Sequence, residues 1–134
     1  MSEFQFLQPK GWKLPKGYAN GIAAEGRIVF VAGQIGWSED GKLVSENFVA
    51  QVERALMNIV AVLAEAGAEP RHIVRMTWFV ADKPTYVSHQ REIGEAYRRV
   101  IGRHFPAMTL VVVKDLLEDG AKVEIEATAV IPAG

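Results

Sequence analysis

Phe105-Pro106-Ala107-Met108-Thr109-Leu110, followed after an acidic loop by Lys122-Val123-Glu124-Ile125-Glu126-Ala127-Thr128-Ala129-Val130, decides how the last third of the chain folds. Pro106 bars continuation of any helix that precedes it, because it lacks an N–H and clashes with the turn behind it. Thr109 to Val113 and Lys122 to Val130 are rich in β-branched residues and read as two strands, with Glu118-Asp119-Gly120 turning the chain between them. Residues two apart in a strand share a face. Val123, Ile125, Ala127 and Ala129 therefore form a core-facing row, and Glu124 and Glu126 point to the other side.

Upstream, Phe48, Val52, Leu56, Ile59 and Leu63 recur at steps of three and four residues, with Ser45 or Asn47 as the cap and Gly67 as the stop, which predicts a helix from about Asn47 to Ala66. Ile73 to Val80 returns to strand character. Asp82-Lys83-Pro84 then opens a second helix carrying Tyr86, Gln90, Ile93, Tyr97 and Val100 or Ile101. Gly21 to Arg27 and Ile28 to Ala32 suggest a two-stranded hairpin with Gly-bearing breaks, and Glu39-Asp40-Gly41 marks a tight turn. Residues 1–16, with Pro9, Gly11 and Pro15, read as an extended arm carrying a short edge strand at Phe4 to Leu7. The order predicts a single α+β domain over residues 1–134, a sheet of five or six strands with two helices on one face. Because Val111-Val112-Val113 is apolar on both sides, the other sheet face needs a cover, and self-association is expected.

The chain has 134 residues, 49% of them hydrophobic and 23% charged, with a mean hydropathy of +0.07. That suits one soluble globular domain. Fifteen basic and sixteen acidic residues give a formal net charge of −1, which offers no generic attraction to a nucleic-acid backbone. There is no cysteine, so disulfides, thiol nucleophiles and thiolate metal sites are excluded together. No apolar run is long enough to span a membrane and the N-terminus carries no secretory signal, so a cytoplasmic address is expected.

Few motifs carry chemistry on their own. Gly36-Trp37-Ser38-Glu39-Asp40-Gly41-Lys42 has P-loop spacing, but Leu43 stands where the magnesium-binding Ser or Thr belongs, so the segment reads as a hairpin turn. His72, His89 and His104 lack metal-ligand spacing and read as surface or capping residues; no metal site is expected. Glu124 and Glu126 face the side where a second subunit is expected. There they serve either an interfacial ion pair or, as a cleft carboxylate, a general base toward water.

In combination, Gly17-Tyr18, Val31-Ala32-Gly33-Gln34-Ile35-Gly36, the helix ending Ala64-Glu65-Ala66-Gly67, Phe105-Pro106-Ala107 and Val123 to Ala127 resemble the Rid (YjgF-type) family of enamine/imine deaminases. The likeness runs from Gly17 to Val130 in the same order. It implies a chorismate-mutase-like fold, a homotrimer with small-molecule clefts between subunits, and hydrolysis of reactive imines without metal or cofactor. Residue by residue, the cleft tyrosine matches Tyr18 and the water-placing, catalytic glutamate matches Glu124. The arginine that grips the substrate carboxylate falls on Met108. The family's common serine falls on Ala32, a cysteine or other small residue on Leu110, and a helix asparagine on Arg91. Gly33, Ala107 and Thr109 complete the expected lining.

A bidentate arginine–carboxylate pair is charge-assisted, each such hydrogen bond contributing about 1.5–3 kcal/mol, whereas methionine offers dispersion and a weakly accepting sulfur. The resemblance thus implies an arginine-lacking branch whose cleft takes a ligand more apolar than an amino-acid imine. Two roles for that cleft stay open: a deaminase-like hydrolase of altered specificity, and a non-catalytic small-ligand-binding trimer. Ribonuclease activity is the weakest reading given the charge balance, and no nucleic-acid or membrane partner is expected. For Arg91, a replacement cation in the cleft competes with an exposed helix pair to Glu95.

Overall fold

The computed structural model describes residues 4–133. Its elements run β1 (Gln5–Leu7), β2 (Gly21–Ala23), β3 (Arg27–Gln34), α1 (Phe48–Glu65), β4 (Ile73–Val80), α2 (Lys83–Ser88), α3 (Gln90–Val100), β5 (Ala107–Val112) and β6 (Val123–Ile131), with a 3-10 turn at Pro70–His72.

α1 forms where its periodicity puts it. Asn47 Oδ1 accepts from the Ala50 N–H at 2.9 Å, so Asn47 is the cap, and Ser45 Oγ braces it by accepting from the Asn47 N–H at 2.9 Å. Gly67, at φ +74°, turns the chain out of the helix. Arg27 of β3 donates to the freed Ala66 carbonyl, tying strand to helix end. The apolar stripe Val52, Leu56, Ile59 and Leu63 is wholly buried, each large side chain contributing about 1.5–3 kcal/mol of transfer free energy.

The main sheet is mixed, in order β3-β6-β4-β5, with β4–β5 parallel and the other pairings antiparallel. β6, which follows every other element in the chain, thus lies inside the sheet. α1 packs over β3 and β6, and α3 lies beside α1, so both long helices cover one face as the residue pattern predicted. Val123, Ile125, Ala127 and Ala129 are buried beneath them.

Three sequence expectations are corrected. Gly21–Ala23 does not form a hairpin with the following strand; it pairs antiparallel with β1 in a separate ribbon, and β3 pairs with β6 instead. The six strands therefore divide into a four-stranded sheet and a two-stranded ribbon rather than one sheet of five or six. The second helix is broken at His89 (φ −121°, ψ 19°), giving α2 and α3. The His89 ring, 2.7 Å from the Thr85 carbonyl, occupies the end of α2.

The Glu39-Asp40-Gly41 turn holds: Gly41 sits at φ +76°, Trp37 bridges Leu43, and the Ser38 N–H donates to the Lys42 carbonyl at 2.7 Å. A hairpin tip, with no helix opening at Lys42, has no phosphate cradle. His72 closes a capping box by accepting from the Glu69 N–H at 2.9 Å.

Candidate functional site

Strand register assigns each predicted residue to a face. Met108 sits opposite Met76, and Leu110 opposite Trp78. Met76 and Trp78 are buried under the helices, so Met108 and Leu110 face the helical layer at the β5 edge. Tyr18 is brought beside them by the backbone: Ala19 bridges Ala107 and its N–H donates to the Pro106 carbonyl at 3.0 Å.

These three residues line a pocket of about 520 Å³ between β5 and α3, within the range of small-molecule sites. Trp78, Tyr86, Tyr97 and Phe105 add aromatic wall, and Lys16 and Arg98 add positive charge; no Asp or Glu lines it. Tyr97 and Phe105 stack at 5.5 Å between centroids and 14° between planes. The Tyr97 hydroxyl donates to the His104 carbonyl at 2.6 Å. Burial pushes its pKa up, so it stays protonated. The Trp78 indole N–H is buried without a partner among the described residues.

Glu124 lies elsewhere. Its register partner is Phe79, one residue from Trp78 and Val80 and hence on the outer, helix-free face. The Glu124 carboxylate curls over Gly33, whose missing side chain leaves the room it occupies. Ala32 is exposed on β3, the edge opposite β5. Along the order β3-β6-β4-β5, two strand spacings, about 10 Å, separate Glu124 from the β5 edge, and the sheet itself stands between Glu124 and Met108. Ala107 and Thr109 alternate with Met108, and border a smaller hollow of about 330 Å³ with Tyr18, Asn20 and Arg75. The predicted residues thus form two groups within one chain, Tyr18, Met108 and Leu110 against Ala32, Gly33 and Glu124.

Arg91 stands apart from both. Its side chain is 87% exposed, with Nε 4.0 Å from Glu95 Oε2, and it lines no pocket described here. The cation that does line the large pocket is Arg98. Gln90, Gly94 and Arg98 follow one another at four-residue steps, a helix stripe that marks Arg98 as facing the same way as Gln90.

The outer face is apolar where it is most open. Phe30 is 76% exposed and Ile28 55%, with Val111 also solvent-facing. Phe79, Thr128, Glu124 and Glu126 lie among them.

Among the described residues no group of three or more His, Cys, Asp or Glu is placed to hold a metal ion, and no helix is long and apolar enough to cross a membrane. A sequence model for the family described as Endoribonuclease L-PSP matches residues 13–131. The human 2-iminobutanoate/2-iminopropanoate deaminase is 30% identical over 105 residues, covering 78% of this chain and 73% of that protein. The structure of YyfB from Yersinia pestis, a protein of unknown function of the conserved Rid family, superposes with a TM-score of 0.84 at 27% identity, covering 97% of this chain and 100% of that one. Escherichia coli TdcF, solved with bound serine, superposes with a TM-score of 0.67 at 30% identity, covering 87% and 90%. With the matched region spanning nearly the whole domain, the chain belongs to the YjgF/Rid family, the one the Endoribonuclease L-PSP model describes.

Proposed function

We propose that this protein is a cytoplasmic, chorismate-mutase-like homotrimer whose inter-subunit clefts bind a small molecule and act as an imine/enamine deaminase-like hydrolase of altered specificity. The observation that carries the reading is the division of the predicted site. Tyr18, Met108 and Leu110 face the helical side at one sheet edge, whereas Ala32, Gly33 and Glu124 lie on the outer side toward the other. One chain cannot close these groups around a ligand, but the β5 edge of one copy set against the open outer face of the next does so. The same docking covers Ile28, Phe30 and Val111, whose exposure is otherwise costly.

In such a cleft Glu124 of one copy accepts a proton from water as its oxygen adds to the imine carbon held beside Met108 of the next. Glu124 passes that proton to the nitrogen to complete the carbinolamine, then moves the hydroxyl proton to the nitrogen as the C–N bond breaks, leaving a carbonyl and ammonia. The serine bound to TdcF and the name of the human deaminase support a small nitrogen-bearing ligand. Met108 removes the charged grip on a small carboxylate and so redirects specificity. A second reading, a binding trimer without chemistry, draws on the absence of any carboxylate from the pocket lining of the single chain.

Imines generated from a panel of amino acids by an oxidase, with ammonia release followed with and without this protein, separate the two. Wild type gives little or no acceleration with small aliphatic imines, and Met108→Arg gives partial recovery. Strong wild-type turnover of these substrates would overturn the reading of Met108, and recovery in neither protein leaves the binding trimer. Sedimentation at three times the 14.8 kDa chain mass is the expected assembly state, and a monomer would refute the shared cleft.

A further inference from the structure

The pocket beside Met108 is built for something other than a three- or four-carbon imino acid. Its wall, which surrounds about 520 Å³ of open space on the single chain, is largely aromatic, with Trp78, Tyr97 and Phe105 in successive ring contact. Two cations, Lys16 and Arg98, line it with no carboxylate to neutralise them, and neither side chain makes a hydrogen bond or ion pair among the described residues. The Arg98 Nη1 lies 3.5 Å from where a β-carbon at Gly94 would stand, an ordinary contact distance, so the guanidinium lies along the helix beside Gly94.

Arginine in every other exposed pairing of α3 finds a carboxylate: Arg91 reaches Glu95 at 4.0 Å and Arg99 reaches Glu53 at 3.0 Å. Arg98 alone on this helix turns toward a cavity. An uncompensated guanidinium at the rim of an aromatic pocket selects an anion, and selects it bidentately. The aromatic wall selects the rest of the molecule, since flat rings pack against flat rings at an advantage beyond their buried area.

We propose that this pocket binds a flat aromatic carboxylate, its charge held by Arg98 with Lys16 assisting and its ring against Tyr97, Phe105 and the Met108 and Leu110 side chains. Arg98 thereby supplies, from α3, the carboxylate contact that Met108 cannot make from β5. The proposal rests on the cleft reading above and narrows its substrate to imines of aromatic amino acids.

Phenylpyruvate, the stable keto acid of that class, is the probe. It is titrated into the full-length protein by calorimetry, beside pyruvate, which keeps the carboxylate and loses the ring, and phenylacetone, which keeps the ring and loses the charge. Phenylpyruvate is expected to bind at least tenfold more tightly than either. Arg98→Gln lowers its affinity about tenfold or more, Lys16→Gln lowers it less, and Lys42→Gln, the same charge change on the distant hairpin, leaves it unchanged. Arg98 is exposed, so its replacement spares the fold, and circular dichroism checks this. Equal binding of pyruvate, an unaltered affinity in Arg98→Gln, or an equal loss in Lys42→Gln would each overturn the proposal. Binding is read without turnover: phenylpyruvate bound through Arg98 by a protein that hydrolyses no imine refutes the hydrolase and keeps this inference. Imine hydrolysis with binding indifferent to Arg98 does the reverse.

Discussion

Two neighbouring glycines on and just beyond β3 should respond to the same added methyl in opposite ways. At Gly36 a β-carbon would stand 2.6 Å from Gln51 Cα and 2.8 Å from Gln51 Cβ. Carbon pairs rest at about 3.5–4.0 Å, so α1 must retreat by roughly 1 Å from a position fixed by backbone. Overpacking of this kind costs about 1–3 kcal/mol. Gln51 is also the buried clamp between α1 and the loop before β6: Nε2 donates to Ser45 and Gly120 carbonyls at 2.9 and 3.0 Å, and Oε1 accepts from the Lys122 N–H at 2.8 Å. Straining those bonds adds about 1 kcal/mol, for a total near 3 kcal/mol in Gly36→Ala. With an unfolding entropy of about 2.1 cal/mol/K per residue over 134 residues, the melting temperature falls by about 10 °C.

At Gly33 the added methyl would instead strike the free end of Glu124, overlapping Oε2 and lying 2.8 Å from Cδ. A carboxylate swings aside where a helix cannot. Gly33→Ala should therefore shift the melting temperature by less than about 3 °C, while displacing the group proposed to activate water and abolishing whatever turnover Met108→Arg recovers. Thermal melts at one fixed protein concentration, since assembly makes melting concentration-dependent, and ammonia release from the double variant read both effects. A larger melting loss for Gly33→Ala than for Gly36→Ala would refute the steric reasoning, and undiminished turnover would remove Glu124 from the chemistry.

Gln51→Leu keeps the volume but leaves the Lys122 N–H and two carbonyls unpaired in a buried site, and should cost about 3 kcal/mol in urea unfolding; a loss under 1 kcal/mol would show water replacing the amide. Arg99 grips Glu53 through two bonds, Nε and Nη2 at 3.1 and 3.0 Å. That hydrogen bonding holds the Glu53 carboxyl below its ordinary value. A depressed folded pKa means that the unfolded chain binds more protons on acidification, so the pair's stabilisation is complete above about pH 4.5 and is lost as pH falls through the lower folded value. The melting difference between wild type and Glu53→Gln should be small, because the pair is solvent-screened, and should vanish at the acid end; a difference that grows on acidification would contradict the assignment.

Much of this layout is legible in the residues, and what is not shares one cause. α1 could be placed from its period, its cap and Gly67, because all three signals are local. The alternation in β6 correctly separates the buried Val123, Ile125, Ala127 and Ala129 from Glu124 and Glu126. The hairpin expected at Gly21 to Ala32 fails because periodicity marks strands without naming partners. Gly26, at φ +146° against the Ile131 carbonyl, marks a change of sheet rather than the turn of a hairpin. The facing of Met108 is likewise invisible until β5 is set in register with β4. Arg98 falls outside the stripe Tyr86, Gln90, Ile93 and Tyr97 that marks the inner face of its helix, and its alignment with Gln90 and Gly94 at four-residue steps gains meaning only once the pocket beside β5 is located.

The place of β6 inside the sheet governs how the chain can be made. β3 is completed near residue 34, and its partner begins at Val123. During synthesis the β3 ladder groups must wait for about ninety more residues before pairing is available. β4 and β5 can meet earlier, yet β4 lacks its antiparallel neighbour until β6 arrives between the two halves. The nascent chain therefore carries unsatisfied strand edges for most of its time on the ribosome, a state prone to wrong pairing with other chains. Shortening the chain within β6 would remove the strand that joins the halves, so a small C-terminal deletion should be as damaging to yield as the loss of the whole core.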